Sequence, residues 1–338
     1  MIAVTGGTGL VGSYLMLKLV ETDRKVRAII RHGSKPEKVL DVWKHYTDHP
    51  KRLLTKIDWK FTDPGNKAEL FDALDGANHI YHCAGKVSFD ARDKKELWQA
   101  NVYFTRWIVD FCLAENVKKL AYVSSVAAIG PASNGEADES CGWPVQKKSL
   151  YAKTKTLAEF EIWRGITEGL NAVIVNPSVI LGAGNWKQSS SRIFDTVYNG
   201  LKFYTTGITG FVDNRDVSDA LIRLMASDIS GERYILNAAN LSYREVFRII
   251  ALNMHKKEPQ LKIGPFVSTL AWMASWLINR ITGSRIPLTR ETAKAAHRQQ
   301  VYSSEKLLKD TGFTFRDIEK TLRETAQLYL MEKGNQTN

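Results

Sequence analysis

The 338-residue sequence predicts an α/β protein, a doubly wound parallel sheet with a smaller, mostly helical C-terminal lobe. Three observations carry this. Short apolar, β-branched runs alternate with amphipathic stretches through the first half. The runs are apolar almost throughout, as strands covered on both faces are. After Pro177 the alternation gives way to loops and helices. Alternation of this kind implies right-handed crossovers between parallel strands.

In order, strands are expected at Ile2–Thr5, Val26–Ile30, Ile57–Phe61, His79–Cys83, Leu120–Ser124 and Ala172–Asn176. Amphipathic helices are expected at Leu10–Thr22, Lys67–Asp75, Lys94–Glu115 and Tyr151–Glu168. A Gly/Ser-rich loop from Gly182 to Ser191 leads into an irregular region ending near Gly210. Arg215–Ser227 reads as a helix and Glu232–Asn237 as a strand returning to the sheet. Residues 1–176, with returns near 211–238, form the expected sheet domain; 177–210 and 239–338 form a substrate lobe. Within that lobe, Phe266–Thr282 is apolar but shorter than the ~20 residues a spanning helix needs. It reads either as a buried or lid helix, or as a lid over a greasy substrate that dips into a membrane face.

Hydrophobic residues at 44% and charged residues at 25% are ordinary for a globular protein, and the chain shows no repeats or low-complexity tracts. The net charge is +11, but no Lys/Arg run of the nucleic-acid kind appears. Scattered basic residues read first as a solvated surface, then as phosphate binding or attraction to a membrane surface. Cys83, Cys112 and Cys141 form no C-x-x-C pair, and their odd number suits no closed disulfide framework. Met1 runs directly into an apolar strand, so no signal peptide is expected. A cytoplasmic protein, membrane-peripheral at most, is the expectation.

Strand Ile2–Thr5 is followed by Gly6-Gly7-Thr8-Gly9-Leu10-Val11-Gly12 and then by a helical pattern. The spacing is G-x-x-G-x-x-G. Gly6 permits a tight turn, Gly9 removes a Cβ that would block a pyrophosphate, and Gly12 lets helix and strand pack closely. The helix N-terminus then presents unpaired N–H groups and a positive dipole end. NAD-binding sheets place an Asp or Glu at the end of the second strand. Here Arg31 stands in that place, followed by His32-Gly33-Ser34-Lys35. An Arg pairs with a 2′-phosphate, so NADP(H) is favoured over NAD(H).

Tyr151-Ala152-Lys153-Thr154-Lys155 opens a helix, and Tyr151 and Lys155, four apart, share a face. An ammonium beside a phenol favours the phenolate, which would suit Tyr151 to proton transfer. Upstream, the strand Leu120–Ser124 ends in Ser124-Ser125, at the carboxyl edge where parallel sheets bind ligands.

With Thr62-Asp63, His82-Cys83-Ala84-Gly85, Asn101, Glu159, Asn176-Pro177 and Val212-Asp213-Asn214-Arg215-Asp216-Val217, these elements resemble the extended short-chain dehydrogenase/reductases, the NAD-dependent epimerase/dehydratase group, with a Rossmann-type sheet. The family's catalytic hydroxyl lies five residues before a glycine; counting back from Gly130 gives Ser125. The resemblance implies Ser125 for carbonyl polarisation, Tyr151 for proton transfer and Lys155 for the nicotinamide ribose. It implies Asn101 as a structural or water-relay residue. Cofactor contacts are implied at Gly6, Thr8, Gly9, Leu10, Val11, Gly12, Ala84, Gly85 and Ser124, with Asp63 at the adenine and Pro177, Ser178 and Val179 at the nicotinamide end. Asn176 departs from the Arg that often precedes that proline.

The chain is most similar to the dihydroflavonol 4-reductase and 3β-hydroxysteroid dehydrogenase branch, which acts on hydrophobic ketones and alcohols. The expected activity is therefore hydride transfer to or from a hydrophobic, lipid- or steroid-like substrate. The alternatives are a nucleotide-sugar epimerase or dehydratase with retained NAD, using Lys187 and Arg192 for phosphate, and a non-catalytic redox sensor. Relatives pair through the helices carrying Asn101 and Tyr151. The stripe Trp98, Val102, Thr105, Ile108, Val109, Cys112 has spacing for such a homodimer, or for packing on the chain's own sheet.

Overall fold

A computed structural model describes the chain except residues 133–134, 144–148, 189, 285–287 and 338, and the side chains of 277, 281 and 335–337. The strands are β1 (Ile2–Thr5), β2 (Val26–Arg31), β3 (Ile57–Thr62), β4 (His79–His82), β5 (Lys119–Val123), β6 (Ala172–Pro177), β7 (Val179–Leu181), β8 (Phe203–Tyr204), β9 (Ile208–Asp213), β10 (Glu232–Leu236), β11 (Ala239–Ser242) and β12 (Leu261–Lys262). Seven of them form one parallel sheet in the order β10-β6-β5-β4-β1-β2-β3. The winding reverses between β1 and β4, so a crevice opens there at the carboxyl ends of the strands. That crevice positions everything that follows.

Helices cover both faces because the strands are apolar on both. Leu10–Glu21 and Asn214–Ala226 bury Leu15, Leu19, Leu221 and Leu224 against Val4 and Val175. On the other face Phe104–Ala114 and Leu150–Thr167 bury Ile108, Cys112 and Ile162 against Leu120 and Ile174. The stripe Val102, Thr105, Ile108, Val109, Cys112 is thus consumed inside the chain, and supports its own core rather than a partner's. Only Trp98 stays half-buried.

The remaining lobe has its own core around Phe194, Phe211, Ile250, Leu322 and Tyr329. It is less purely helical than the sequence suggests. The region expected to be irregular up to Gly210 contains β9, which pairs in parallel with β7 and antiparallel with β11. Gly210 hides this strand from a pattern reading: a Cβ there would lie 2.8 Å from Ser178 Cβ, so close packing excludes the β-branched residue that would signal a strand. The Pro265–Thr282 helix is not a buried helix; most of its large apolar residues face solvent.

Candidate active site

One lip of the crevice is the glycine turn after β1. Gly6 has φ +71°, open to glycine but strained for other residues, and a Cβ on it would lie 2.6 Å from the Ala84 backbone. A Cβ on Gly12 would lie 2.4 Å from the Gly6 carbonyl oxygen. The turn is thus pressed against the end of β4 on one side and its own helix on the other. No side chain caps that helix; its N-cap is exposed Gly9, which leaves the first-turn N–H groups available to an anion. Thr8, Gly9 and Leu10 line a cleft that also carries Lys38, Asp41, Asn185 and Gln188. This cradle, crowded by any Cβ yet open at the helix end, fits a dinucleotide pyrophosphate. Val11 is buried beneath it.

At the outer end of the crevice Arg31 and Thr62 are register partners, so Arg31 and Asp63 stand on adjacent strand tips, both exposed. Among the described residues no hydrogen bond or ion pair holds the Arg31 guanidinium. The Asp63 carboxylate accepts from the Gly65 N–H at 2.8 Å, and its backbone N–H donates to Glu69.

A buried polar chain ties β1 to β4. Thr5 Oγ1 is 2.8 Å from His82 Nδ1, His82 Nε2 is 2.9 Å from Thr105 Oγ1, and the Ala84 N–H donates to Thr5 Oγ1. Burial pulls the His82 pKa down to about 3, so the ring is neutral. Beyond it Asn101, in a π-helical turn (Trp98–Tyr103), clamps the Lys86 backbone from both sides: Oδ1 accepts its N–H at 2.7 Å and Nδ2 donates to its carbonyl at 3.0 Å. Nδ2 also donates to Thr154 Oγ1 on the tyrosine helix at 3.0 Å. Gly85 lies between: a Cβ there would sit 3.4 Å from Asn101 Oδ1 and 3.7 Å from Lys155 Nζ.

Ser125, Tyr151 and Lys155 converge on this point. Ser125 caps the short turn after β5, accepting from the Ala127 N–H, and its hydroxyl lies close enough to the Tyr151 phenol to lower its pKa. Phe89 packs edge-on against the phenol ring with centroids 5.8 Å apart. Burial raises the Tyr151 pKa, and the Ser125 hydrogen bond opposes the rise. Lys155 does not supply the expected lowering. Its ammonium donates to Tyr122 Oη and to the Val123 carbonyl, each at 2.8 Å, and burial drops its pKa to about 7. Four-residue spacing puts the two on one face, but the lysine is long enough to reach past the phenol to β5.

Ser124 points the other way. Its hydroxyl donates to Glu159 Oε2 at 2.8 Å. Glu159 is fully buried and also accepts from Asn176 Nδ2 at 2.9 Å, Arg233 Nη1 at 3.1 Å and Trp143 Nε1 at 3.4 Å. Asn176 donates in turn to the Ser125 carbonyl at 3.1 Å. The Asn at the position before Pro177 thus works beside an Arg delivered by the next strand. Pro177 is buried at the end of β6, the Ser178 hydroxyl donates to the Leu236 carbonyl, and half-buried Val179 opens β7. Among the described residues no group of three metal-ligating side chains occurs.

The sequence reading did not find Arg233, Trp143, Tyr122, Thr154 or the Thr5–His82–Thr105 chain as parts of the site. Arg233 is 74 residues from Glu159, and only the β6–β10 pairing brings them together. Glu159 itself, eight residues beyond Tyr151, was readable as a third member of the same helical stripe.

A glycine turn and a serine–tyrosine–lysine cluster facing each other across the reversal point of a parallel sheet define a dinucleotide-binding protein of the Rossmann type. The chain belongs to the NAD dependent epimerase/dehydratase family, whose sequence profile matches residues 2–239. It is 27% identical over 335 residues to a putative dihydroflavonol 4-reductase of Synechocystis, covering 96% of this chain and 93% of that one. It is 27% identical over 267 residues to sterol demethylase protein B of Methylococcus capsulatus, covering 78% and 77% of the two chains. Among solved structures, gox2253 superposes with a TM-score of 0.79 at 26% identity over 98% of both chains. UDP-glucose 4-epimerase of Thermotoga maritima superposes at 0.76 with 14% identity, covering 98% of this chain and 99% of that one, a likeness of fold.

Proposed function

We propose that this enzyme is an NADP(H)-dependent oxidoreductase that interconverts a ketone and a secondary alcohol on a hydrophobic substrate. The observation that carries the reading is the convergence of the Ser125 hydroxyl and the Tyr151 phenol beside Lys155 and Gly85 at the switch point. A bound nicotinamide supplies or takes the hydride. In the reductive direction the Ser125 hydroxyl donates to the substrate oxygen and polarises the carbonyl. The Tyr151 phenol, kept protonated by burial, donates the proton that completes the hydroxyl. Lys155 would offer its ammonium to the ribose hydroxyls of a bound cofactor, and Asn101 holds the Lys86 backbone beside Gly85.

NADP(H) is preferred in this reading because Arg31, exposed at the tip of β2 and unpaired among the described residues, stands where NAD-binding sheets carry a carboxylate. The nucleotide-sugar alternative draws less support, since Arg192 lines an open cleft with Asp195, Thr196, Asn199 and Lys202, and neither Ser125 nor Tyr151 lines it. Three free thiols suit a reducing, cytoplasmic setting. A homodimer would use the outer faces of the Asn101 and Tyr151 helices, where Tyr103 and Phe160 are exposed.

The deciding experiment is a screen of hydrophobic ketones against nucleoside-diphosphate sugars with wild type and Tyr151→Phe. Ketone turnover is expected, falling about 10²- to 10⁴-fold in the variant while NADPH affinity stays within about threefold. Sugar turnover with tightly retained NAD, or a variant as active as wild type, refutes the reading.

A further inference from the structure

We propose that the Pro265–Thr282 helix docks on an anionic lipid surface. Its large apolar residues and two of its serines are placed the reverse of the usual way. Ser268 and Ser275 face inward and are buried, with Ser268 Oγ 2.8 Å from His297 Nε2, while Thr269, Arg280 and Thr282 stay exposed. The large apolar residues face water, with Phe266 74% exposed and Trp276 53% exposed, and Val267, Leu270, Met273 and Ile278 about half exposed. At helical periodicity these six side chains span an arc of roughly 200°, within which exposed Thr269 and Arg280 also fall. The strip is prolonged by Leu261 and Phe203, exposed partners in the β8–β12 ladder that leads into the helix. A monomer surface does not keep an apolar arc of this breadth in water without use for it.

Charge selects the occupant. Residues 256–298 contain eight Lys or Arg and two Asp or Glu, so about an eighth of the chain holds more than half of the net charge of +11. Lys262, Arg280, Arg290, Lys294 and Arg298 are exposed. Apolar side chains with a tryptophan among them, on a segment rich in exposed cations, match the headgroup–acyl boundary of an anionic bilayer. A second copy would instead set these cations against their own like. Among the described residues no helix is long and apolar enough to cross a membrane, so the contact lies in the plane of the surface.

The docking face adjoins the catalytic helix. The Arg290–Ala295 helix packs on Pro265–Thr282, and Glu291 accepts from the Leu150 N–H, one residue before Tyr151. Substrate dissolved in the bilayer would then enter close to Tyr151. That step rests on the oxidoreductase reading; the docking does not.

The test mixes the full chain, without substrate or cofactor, with vesicles of phosphatidylcholine alone or containing phosphatidylglycerol, and reads the bound fraction by sedimentation. Binding is expected on the phosphatidylglycerol vesicles and to weaken with salt. Phe266→Ser/Leu270→Gln should lower it at least about tenfold, and Arg280→Gln/Lys294→Gln about fivefold per charge, with melting temperatures unchanged. No binding, or equal binding to both vesicle types that the apolar pair leaves untouched, overturns the proposal. So does a wild-type dimer that the apolar pair converts to monomer. Because turnover is never read, failure of the oxidoreductase reading would leave this result standing.

Discussion

Tyr151, Lys155 and Glu159 form one stripe along a helix; the first two meet groups of β5 and the turn after it, and the third meets Arg233 of β10. The deepest of the three is an ion pair with Arg233, which is itself buried. Replacing Arg233 with Met leaves a carboxylate without its counter-ion and should cost about 3–5 kcal/mol in denaturant unfolding, while Glu159→Gln/Arg233→Met recovers much of the loss. An additive double variant would mean the pair is not coupled. Lys155 permits a pH prediction. Its folded pKa of about 7 lies below the ordinary lysine value of 10.5, so between the two the unfolded chain holds a proton that the folded chain has lost. Stability therefore rises with pH across that window, and Lys155→Met abolishes the rise. Unfolding both proteins in urea between pH 6 and pH 10 reads it directly; a constant difference between them would show that the buried amine keeps its charge.

At the scale of elements, the π-helical turn at Trp98–Tyr103 places Asn101 between the Lys86 backbone and Thr154. Asn101→Ala removes three hydrogen bonds and should destabilise the fold by roughly 1–3 kcal/mol and weaken cofactor binding, measured by denaturation and NADPH titration. Conversely, wild-type affinity in that variant would reduce Asn101 to a packing residue. The long parallel strands and their helices were legible because their periods run over many residues and both faces are apolar. Gly6, Gly9 and Gly12 were legible because they stand between a strand and a helix. The π turn was not, since one widened turn barely disturbs a helical repeat. Nor were β7, only three residues long, β9, interrupted by Gly210, and β11, which carries Asn240 and Ser242. The direction of Lys155 escaped for another reason. Spacing places two side chains on one face, but the choice between a phenol and a main-chain carbonyl is made by neighbours distant in sequence.

For the whole molecule, ligand linkage offers the cleanest discrimination of cofactor. A ligand present at 100 times its dissociation constant stabilises the folded state by about 2.7 kcal/mol. Saturating NADPH should thus raise the melting temperature more than equimolar NADH, and Arg31→Ser should shrink the NADPH shift while leaving the NADH shift in place. Equal shifts in the variant and the wild type would remove Arg31 from recognition. The seventh strand has a temporal consequence. On the ribosome, a nascent chain that has emerged only as far as β6 has all of Ser125, Tyr151, Lys155 and Glu159, yet lacks β10 and the Arg233 it carries. Until about sixty further residues have been synthesised, the carboxylate beneath the serine turn has no counter-ion. The serine–tyrosine lip is therefore completed late in translation, well after the glycine turn can close.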